Sequence, residues 1–554
     1  MRRPVLPILV GLVAGAVSHP FAPASARALE PKHACCADRK NTTRQRRPPL
    51  VAQTQTPRVA TAAPDDAPSD ADRVRAAIEM TLHPERRGEG IAALTALERS
   101  HGDSVPVRRE LARALSWEGR FAESIQEYDW LLANVPPPER KTYLLERLHV
   151  LEWSGRLKDA ERGYEELRAR DSRDVDALIG LARARRAAGR PLAARAPAER
   201  AVRLEPDRRE AREELAWIYA AVGRGRAATA IVGGETVPYE LGDRLAQLRR
   251  PAISISNVAA ANSFGILRIA PRATVGVSLP HDLTLTVGAG MTHLEQNATA
   301  PLTAPRQVDY ASAAAALSVP WGPVRFAGSL GIYAGRDITS FDGHGKIAVR
   351  PVDGFSTSVA FRHHPFVELV DPVTTDEQMF HGAGVGGAQA LDQALPLQVN
   401  ALSLDFLVNP WSWGFLYGGG RLFQIDDGNQ GYSVAAGVGI NTLGFFSRTL
   451  PVALYARWDT YITGYQQSRT AYYSPTLLDV HSVGPELRLR AWKLELSAAG
   501  GATLALIESA PHGWFAGGGA KVATRHIALE ARADYRADPY YQSWRAWLGA
   551  VVYP

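Results

Sequence analysis

The spacing of apolar residues along the chain changes near residue 250. Before that point, apolar positions recur with helical spacing inside a unit of about 34 residues. After it, apolar and polar residues alternate along segments of about ten residues, and this continues to the last residue. We therefore expect a helical N-terminal region followed by a β region.

A glycine followed by an arginine recurs four times in the helical region, at spacings of 36, 34 and 34 residues. Glycine suits the turn between two helices, a small alanine five residues later suits their close approach, and a proline further on suits the end of the pair. We expect these residues to be structural and not part of a binding site. They are Gly119, Gly155, Gly189, Gly223, Ala160, Ala194, Pro136 and Pro206.

A helix–turn–helix unit of this length resembles the tetratricopeptide repeat. We predict an α-helical tetratricopeptide-repeat solenoid over residues 75–245, with four or five units. The resemblance implies a concave surface that binds protein partners. Arg183, Arg185 and Arg186 form a basic run in this region, which we interpret as a solvated helix face in preference to a binding patch.

The N-terminus has the pattern of an export signal. Two arginines precede an apolar run over residues 4–17, and small residues follow it, so we predict a secretory signal peptide over residues 1–26; an uncleaved anchor is the alternative. Residues 27–74 are polar and rich in proline, which predicts a disordered linker. Cys35 and Cys36 are interpreted as an incidental pair in that linker, not as a lipid anchor or a disulfide framework.

In the second half, each alternating segment has one apolar and one polar face. Between Ile527 and Arg536, apolar residues occupy one set of alternate positions and charged residues the other. Two interpretations fit this pattern. In a soluble β domain the charges face water, whereas in a membrane barrel the apolar face meets lipid and the charges line a wet lumen.

Three observations favour the membrane barrel. About 16 segments occur, which is an even number and large enough for an aqueous channel. Their apolar faces are rich in Ala, Gly and Val, and aromatic residues lie at segment ends, among them Trp411, Trp413, Tyr472 and Tyr473. We predict an antiparallel transmembrane β-barrel of about 16 strands over residues 251–554. The expected strand starts are near residues 252, 266, 282, 307, 322, 342, 354, 395, 412, 430, 450, 477, 491, 512, 525 and 542.

The polar faces of three segments supply the candidate pore-lining residues. Acidic and basic residues are balanced in this set, and tyrosines accompany them, which favours a neutral or weakly charged permeant glycan over a polycation. The candidates are Tyr455, Arg457, Asp459, Tyr461, Glu486, Arg488, Arg490, Glu530, Arg532 and Asp534.

The charge distribution and the missing motifs exclude other classes of function. Residues 1–70 hold 10 basic and 5 acidic residues, whereas residues 251–554 hold 20 and 22, so the net charge of +6 gives no basic nucleic-acid surface. No hydrolase, nucleotide-binding or metal motif occurs. We expect no enzyme activity, no catalytic residue, no cofactor and no metal.

Three short motifs in the β region receive structural interpretations. The adjacent pair His363-His364 points to opposite faces of a strand, which disfavours joint metal binding. The run Asp426-Asp427-Gly428 is interpreted as a turn, and the three glycines at 418–420 as a strand kink.

Three stretches of the β region carry a family resemblance. They are Phe-Arg-His-His-Pro-Phe at 361–366 with an insertion up to about residue 393, Tyr-Gly-Gly-Gly-Arg at 417–421, and Tyr-Tyr-Ser-Pro at 472–475. In this order they resemble the C-terminal barrel of the outer-membrane component of bacterial cellulose synthase. Exporters of poly-N-acetylglucosamine share the same architecture of leader, repeats and barrel.

The resemblance implies an outer-membrane porin that exports an exopolysaccharide, cellulose-like or another glycan. Its partners would be the polysaccharide chain, outer-membrane lipid, and periplasmic and inner-membrane synthase components docked by a periplasmic repeat domain. The cellulose family has many more repeats, so contact with an inner-membrane synthase stays open. One alternative is a non-transport outer-membrane scaffold or surface protein whose repeats organise partner proteins, and another is an outer-membrane enzyme on a barrel platform.

Overall fold

The computed structural model describes residues 70–100, 104–262, 265–296, 306–336, 338–365, 397–411, 413–443, 451–468, 477–491, 493–504, 513–524, 526–537 and 542–554. The predicted signal peptide, most of the predicted linker with both cysteines, the insertion at 366–393 and the aromatic pair Tyr472-Tyr473 lie outside these ranges.

Within the described residues, the region before residue 250 holds eleven α-helices, ten of which form five successive helix pairs. This confirms the predicted repeat-like helical region. The helices are α1 (Asp70–Leu82), α2 (Arg87–Ser100), α3 (Val105–Trp117), α4 (Phe121–Asn134), α5 (Arg140–Trp153), α6 (Leu157–Arg170), α7 (Val175–Ala187), α8 (Pro191–Leu204), α9 (Arg209–Ala221), α10 (Gly225–Val232) and α11 (Tyr239–Arg249).

The recurring glycine ends the first helix of four of these pairs. Gly119, Gly155, Gly189 and Gly223 all have a positive φ, between 76° and 79°. The arginine that follows donates its backbone N–H to a carbonyl in the last turn of the preceding helix, as from Arg156 to Leu151 at 2.9 Å. Only glycine adopts this left-handed conformation without strain, which is why the glycine marks the period of the sequence.

The other structural residues lie where the helices meet or end. Ala160 and Ala194 are fully buried on the second helices of their pairs. Pro136 and Pro206 come two residues after the last residues of α4 and α8. Large buried tyrosines and leucines fill the space between the helices, with Tyr164 completely covered.

The helical region begins five residues before the predicted boundary at residue 75, because α1 starts at Asp70. Val74, which was assigned to the linker, packs against the cluster that includes Ala77 and Ile91. This burial extends the amphipathic pattern by one turn and explains the correction.

The chain forms two compact units, one ending at Glu214 and one running from Leu215 to Pro554. The last helices of the array therefore belong to the same unit as the β region. Among the described helices, none has the length and hydropathy that a membrane-crossing helix requires.

The β region is a closed antiparallel barrel in which each described strand pairs with its sequence neighbours and β1 pairs with β16. The predicted fold class is therefore confirmed. The strands are β1 (Ala252–Asn262), β2 (Ile266–Ser278), β3 (Thr284–Gln296), β4 (Arg306–Trp321), β5 (Val324–Gly335), β6 (Thr339–Val352), β7 (Phe355–Pro365), β8 (Gln398–Trp411), β9 (Gly414–Ile425), β10 (Gln430–Asn441), β11 (Val452–Tyr465), β12 (Leu478–Ala491), β13 (Leu494–Leu504), β14 (Gly513–Ala523), β15 (Ile527–Ala537) and β16 (Gln542–Val552).

Each strand begins within three residues of the position expected from the alternation; the largest differences are at β6, β8 and β13. The expected kink at residues 418–420 is not supported. Strand β9 pairs residue for residue with both neighbours through the three glycines, without a register shift. The missing side chains make room for neighbouring ones, such as the Phe406 ring beside Gly418.

A turn of the barrel caps the last helix pair. Asp282, in the short 3₁₀ turn Pro280–Asp282 between β2 and β3, accepts a hydrogen bond from the backbone N–H of Arg226 at 2.8 Å. Helix α10 has no side-chain cap of its own at Arg224, so the buried carboxylate of the turn supplies it. His281 and Asp282 both have a φ of 60°, a costly conformation for non-glycine residues that this contact helps to hold.

Candidate functional site

The outer face of the barrel is apolar and exposed. Large apolar side chains stand at alternate positions of the strands, with Leu330 and Ile332 73% and 60% exposed, and Leu402, Leu404 and Leu422 exposed in the same way. A soluble protein rarely leaves so continuous an apolar surface uncovered. The face has the character of a lipid-facing surface, which is the second of the two interpretations of the alternation.

Aromatic side chains lie towards both ends of this outer face. We call the end where β1 begins and β16 ends the near end, and the opposite end the far end. Trp321 and Trp413 are exposed at the near end, and Trp514 and Trp544 at the far end. Trp514 contacts Tyr535 with a ring separation of 4.8 Å. Such belts mark the two interfaces of a membrane.

The ten predicted pore-lining residues occupy inward-facing positions on β11, β12 and β15, as judged from the exposed apolar neighbours on the same strands. On β11, Trp458 is exposed on the outer face, whereas Arg457 and Asp459 are buried. Arg490 lies at the near end and is exposed. Each of these side chains therefore lies on the lumen side of its strand.

Four of the predicted residues form one ion-pair chain across two strands. The guanidinium of Arg457 contacts Asp459 at 2.9 Å and Glu486 at 2.8 Å, and Arg488 contacts Glu486 at 2.6 Å. Arg457 and Glu486 are each less than a tenth exposed. Loss of any one of these side chains would leave a buried charge without its partner, which is costly. The ion-pair chain therefore holds this part of the wall in one arrangement.

The other charged candidates form separate ion pairs, and Tyr461 belongs to none of them. Arg532 contacts Glu530 at 2.5 Å on β15. Asp534 pairs with Arg545 at 3.0 Å and Arg490 with Glu495 at 2.5 Å. Tyr461 is buried on β11 and is not part of the ion-pair chain.

Aromatic residues of β9, which were not among the predicted pore-lining residues, extend this wall. The hydroxyl of Tyr417 donates a hydrogen bond to Asp459, although strand β10 separates them. The Phe415 ring lies 5.6 Å from the ring of Tyr455, and the guanidinium of Arg457 lies 5.7 Å above it. Aromatic rings and guanidinium groups thus cover the lumen side of β9 to β12.

Glycines of β10 allow this arrangement. Gly437 pairs with Tyr417 on one side and with Asp459 on the other, and Gly439 pairs with Phe415 and with Arg457. A Cβ at Gly437 would overlap Asp459 and the Tyr417 ring. Because Gly437 and Gly439 have no side chains, side chains of β9 cross β10 and reach those of β11. Glycines at alternate positions of β10 were the sequence feature that could have predicted this contact.

Apolar side chains gather inside the barrel at the far end. Ile266, Leu294, Val399 and Ile425 stand at inward-facing positions, are at most 1% exposed, and belong to one cluster. Tyr310 and Tyr333 belong to the same cluster, with rings 5.9 Å apart. An apolar lining is a poor environment for water and ions, so this end of the lumen is the more restrictive one.

The predicted balance of charge holds for the ten candidates but not for the described lumen as a whole. The candidates carry four basic and four acidic groups, and the other inward-facing strand positions add ten basic and three acidic groups. The basic groups are Arg268, Arg272, Arg306, Arg325, Lys346, Arg362, Arg421, Arg457, Arg488, Arg490, Lys521, Arg532, Arg536 and Arg545. The acidic groups are Asp342, Asp405, Asp459, Glu486, Glu495, Glu530 and Asp534.

In the helical array, the basic run is neither a solvated face nor a patch. Arg183 contacts Glu152 at 2.5 Å and Arg186 contacts Glu214 at 2.6 Å, each on the first helix of a neighbouring pair. Arg185 contacts Glu161 at 2.8 Å and Glu165 at 2.5 Å. The arginines therefore join helices of successive pairs, which corrects the interpretation made from their clustering in sequence.

Electrostatics in the array follow from these pairs. Burial lowers the pKa of the Arg183 guanidinium, but the carboxylate of Glu152 outweighs it and leaves that pKa raised. His149 lies nearby, 6.5 Å from the Tyr164 ring. Burial first, and the charge of Arg183 second, lower the pKa of His149 to about 4. This histidine is consequently neutral at pH 7.

The remaining sequence motifs occupy structural positions. His363 accompanies Phe341 on the outer face with rings 4.2 Å apart, whereas His364 is buried on the inner face. Gly428 has a φ of 85° in the turn between β9 and β10, where Asp427 accepts the backbone N–H of Asn429 at 2.9 Å. Within the described ranges, no group of three or more potential metal ligands is assembled.

Solved structures similar to this chain each align with only part of it. A structure described as a bacterial polysaccharide outer membrane secretin aligns with 55% of this chain and 99% of its own length, at 10% identity and a TM-score of 0.42. CdiB from Acinetobacter baumannii aligns with 55% of this chain and 60% of its own, at 10% identity and a TM-score of 0.34. A tetratricopeptide repeat protein from Parabacteroides merdae aligns with 33% of this chain and 71% of its own, at 18% identity and a TM-score of 0.27.

These similarities are too weak to transfer a function. No protein-family model and no curated protein sequence matches the chain. The functional argument therefore depends on the geometry of the barrel and of the array.

Proposed function

We propose that the protein is an outer-membrane porin that exports a bacterial exopolysaccharide, with the helical repeats on the periplasmic side as the docking site for export or biosynthesis partners. The observation that carries the proposal is the closed barrel of sixteen described strands, apolar and exposed outside and rich in paired charges inside. A barrel of this size is wide enough to hold an aqueous channel.

The side chains that line the lumen suit the passage of a hydrated polymer. Ion pairs and tyrosines on β11 and β12 present hydroxyl, carboxylate and guanidinium groups to the interior. The hydroxyl groups of a sugar can replace hydrogen bonds to water with hydrogen bonds to these side chains. The free-energy cost is small because the two kinds of hydrogen bond are similar in strength. The near end, where α10 is fixed to the β2–β3 turn by Asp282, is the side on which the repeats join the barrel.

A non-transport scaffold is the second candidate. The apolar cluster at the far end favours it, because a lumen narrowed by Ile266, Leu294 and Ile425 resists the passage of water and polar solutes. Under the first proposal, the same cluster is a barrier that a polymer displaces while it is exported.

Deletion of the gene separates the two candidates. Surface polysaccharide and polysaccharide retained in the periplasm would be measured in the deletion strain and after complementation with the full chain. Export predicts loss at the surface together with retention in the periplasm. Unchanged surface polysaccharide would eliminate the export function and leave the scaffold.

A further inference from the structure

We infer that the lumen selects an anionic polymer, namely a polysaccharide whose repeating unit carries a carboxylate or another acidic group. The inference deepens the proposed export function and depends on it. Its basis is the charge of the inward-facing side chains, where the described strands carry fourteen basic and seven acidic groups.

The basic excess is concentrated on one half of the barrel. The strands β11 to β16, which supplied every predicted pore-lining residue, carry seven basic and five acidic inward-facing groups. The strands β1 to β10 carry seven basic groups and only two acidic ones, Asp342 and Asp405. A net positive wall therefore faces a nearly neutral wall across the lumen.

Arg272 and Arg421 are two of the basic residues that contribute to this excess of positive charge. Arg272 on β2 pairs in register with Ser256 and Gly290, and Arg421 on β9 pairs with Ser403 and Ser433.

Among the described residues, neither guanidinium forms an ion pair with a carboxylate, although the carboxylate of Asp405 on β8 acts electrostatically on Arg421. Six strands lie between β2 and β9 on one side of the barrel and eight on the other, so Arg272 and Arg421 stand on nearly opposite walls.

Physical chemistry gives this excess a consequence for transport. A narrow aqueous channel with low-dielectric walls focuses the field of its lining charges. At physiological salt the screening length is about 8 Å, comparable with the distance from the wall to the axis of a channel this size. Rings of arginine and lysine favour anions, as rings of acidic residues favour cations. Ion-paired arginines still count towards the net charge, so a polyanion is favoured over a neutral chain and a polycation is disfavoured.

Most acidic residues of the β region lie off the inward-facing strand positions. Residues 251–554 hold 20 basic and 22 acidic residues in total, so the acidic excess must lie off the inward-facing strand positions. Five acidic residues and no basic residue occur in segment 366–396, outside the described ranges. The experiment therefore uses the intact chain, whose selectivity includes every charge.

Two measurements on the purified full-length protein test the inference. In planar bilayers under a KCl gradient, the reversal potential should give chloride a permeability at least about twice that of potassium. In detergent, binding of oligogalacturonate, a cello-oligosaccharide and a chitosan oligomer of equal length would be compared by thermophoresis, which needs no open channel. Oligogalacturonate should bind at least about tenfold tighter than the other two, with an affinity that falls as salt rises.

Matched variants locate the effect. The double substitution Arg272→Gln with Arg421→Gln should lower the chloride preference and the affinity for oligogalacturonate by about twofold or more. The control Lys158→Gln with Arg203→Gln removes two exposed charges from the helices and should change neither.

Potassium selectivity, or equal or tighter binding of the chitosan oligomer or the cello-oligosaccharide, would overturn the inference. Its failure is distinguishable from failure of the proposed function. A deletion strain that loses a neutral surface polysaccharide refutes only the anionic specificity, whereas a strain with unchanged surface polysaccharide refutes export.

Discussion

The helical array and the barrel use arginine in two different ways. In the array, Arg183 and Arg186 each meet a glutamate of a neighbouring helix, so their charges serve the packing of successive pairs. In the barrel, β11 and β12 repeat that arrangement, whereas Arg272 and Arg421 on the other half face the lumen without such a partner in the described residues. The comparison indicates that charge serves stability in the array and is available to the permeant species in the barrel.

Among the predictions, substitution of Glu152 should cause the largest loss of stability in the helical array. Glu152 accepts hydrogen bonds from Arg183 and from the hydroxyl of Tyr164, so Glu152→Ala removes the acceptor of a half-buried guanidinium and of a fully buried hydroxyl. We expect a loss of about 2–3 kcal/mol in the stability of the helices. Thermal unfolding of the full chain, followed by helical circular dichroism, measures it.

The matched control is Glu123→Ala, because Glu123 and Arg120 form an exposed pair on one helix. This substitution should change the stability by less than about 0.5 kcal/mol. Equal losses for the two variants would show that the inter-repeat pairs do not stabilise the array.

Gly437→Ala tests the wall of the barrel in the same way. A methyl group there overlaps Asp459 and the Tyr417 ring, so the hydrogen bond across β10 must break, at a cost of about 1–3 kcal/mol. Gly345→Ala is the control, since nothing lies within 4 Å of its Cβ position. The fraction of folded barrel on unheated denaturing gels should fall for the first variant only; a folded fraction equal to that of the control would remove the role assigned to the glycines of β10.

The glycines of the array make a contrasting prediction. Gly155 has a φ of 77° with open space around its Cβ position, so Gly155→Ala should cost about 1–2 kcal/mol through backbone strain alone. Gly88, in the first turn of α2, also has open space but no positive φ, and Gly88→Ala should stabilise the helices by about 0.5–1 kcal/mol. Helical melting temperatures that shift in the same direction would contradict this assignment.

The smallest effect concerns pH. The pKa of His149 is lowered to about 4 by burial and by Arg183, with Glu152 and Glu146 opposing the shift. The folded array favours the neutral ring, so this contribution is complete above about pH 6.5 and is lost as the pH falls towards 4. We expect about 1–2 kcal/mol less helical stability at pH 4.5 than at pH 7 from this group, discounted for partial exposure. His149→Gln should flatten that part of the pH profile, and an unchanged slope would assign it to other groups.

The sequence was most informative where a feature repeats. Four glycines at positive φ gave the period of the helices, and alternation gave each strand start to within three residues. Contacts between elements were not predictable in this way. The bond from Tyr417 to Asp459 depends on the register of three strands, and the ion pair of Arg183 with Glu152 joins residues 31 positions apart.

The predicted balance of charge in the lumen was also limited by what single segments of the sequence can show. The candidates came from β11, β12 and β15, where alternation is cleanest and ion pairs balance the charge. On the inward face of β9, Arg421 is the only charge among mostly aromatic residues, and the inward face of β2 carries only Arg268 and Arg272, so neither segment shows the mixed acidic and basic alternation that marked the candidates. Closure of the barrel brings these charges into one lumen.

The most direct test of the account measures polysaccharide export by cells that carry lumen variants. The deletion strain would be complemented with the wild type, with Arg272→Gln plus Arg421→Gln, or with Gly345→Ala, which adds a methyl group in open space on β6, at equal amounts of folded barrel. The account predicts that the lumen variant releases less polysaccharide and retains more in the periplasm, while Gly345→Ala matches the wild type. Equal release from all three strains, or normal release from the uncomplemented deletion, would contradict it.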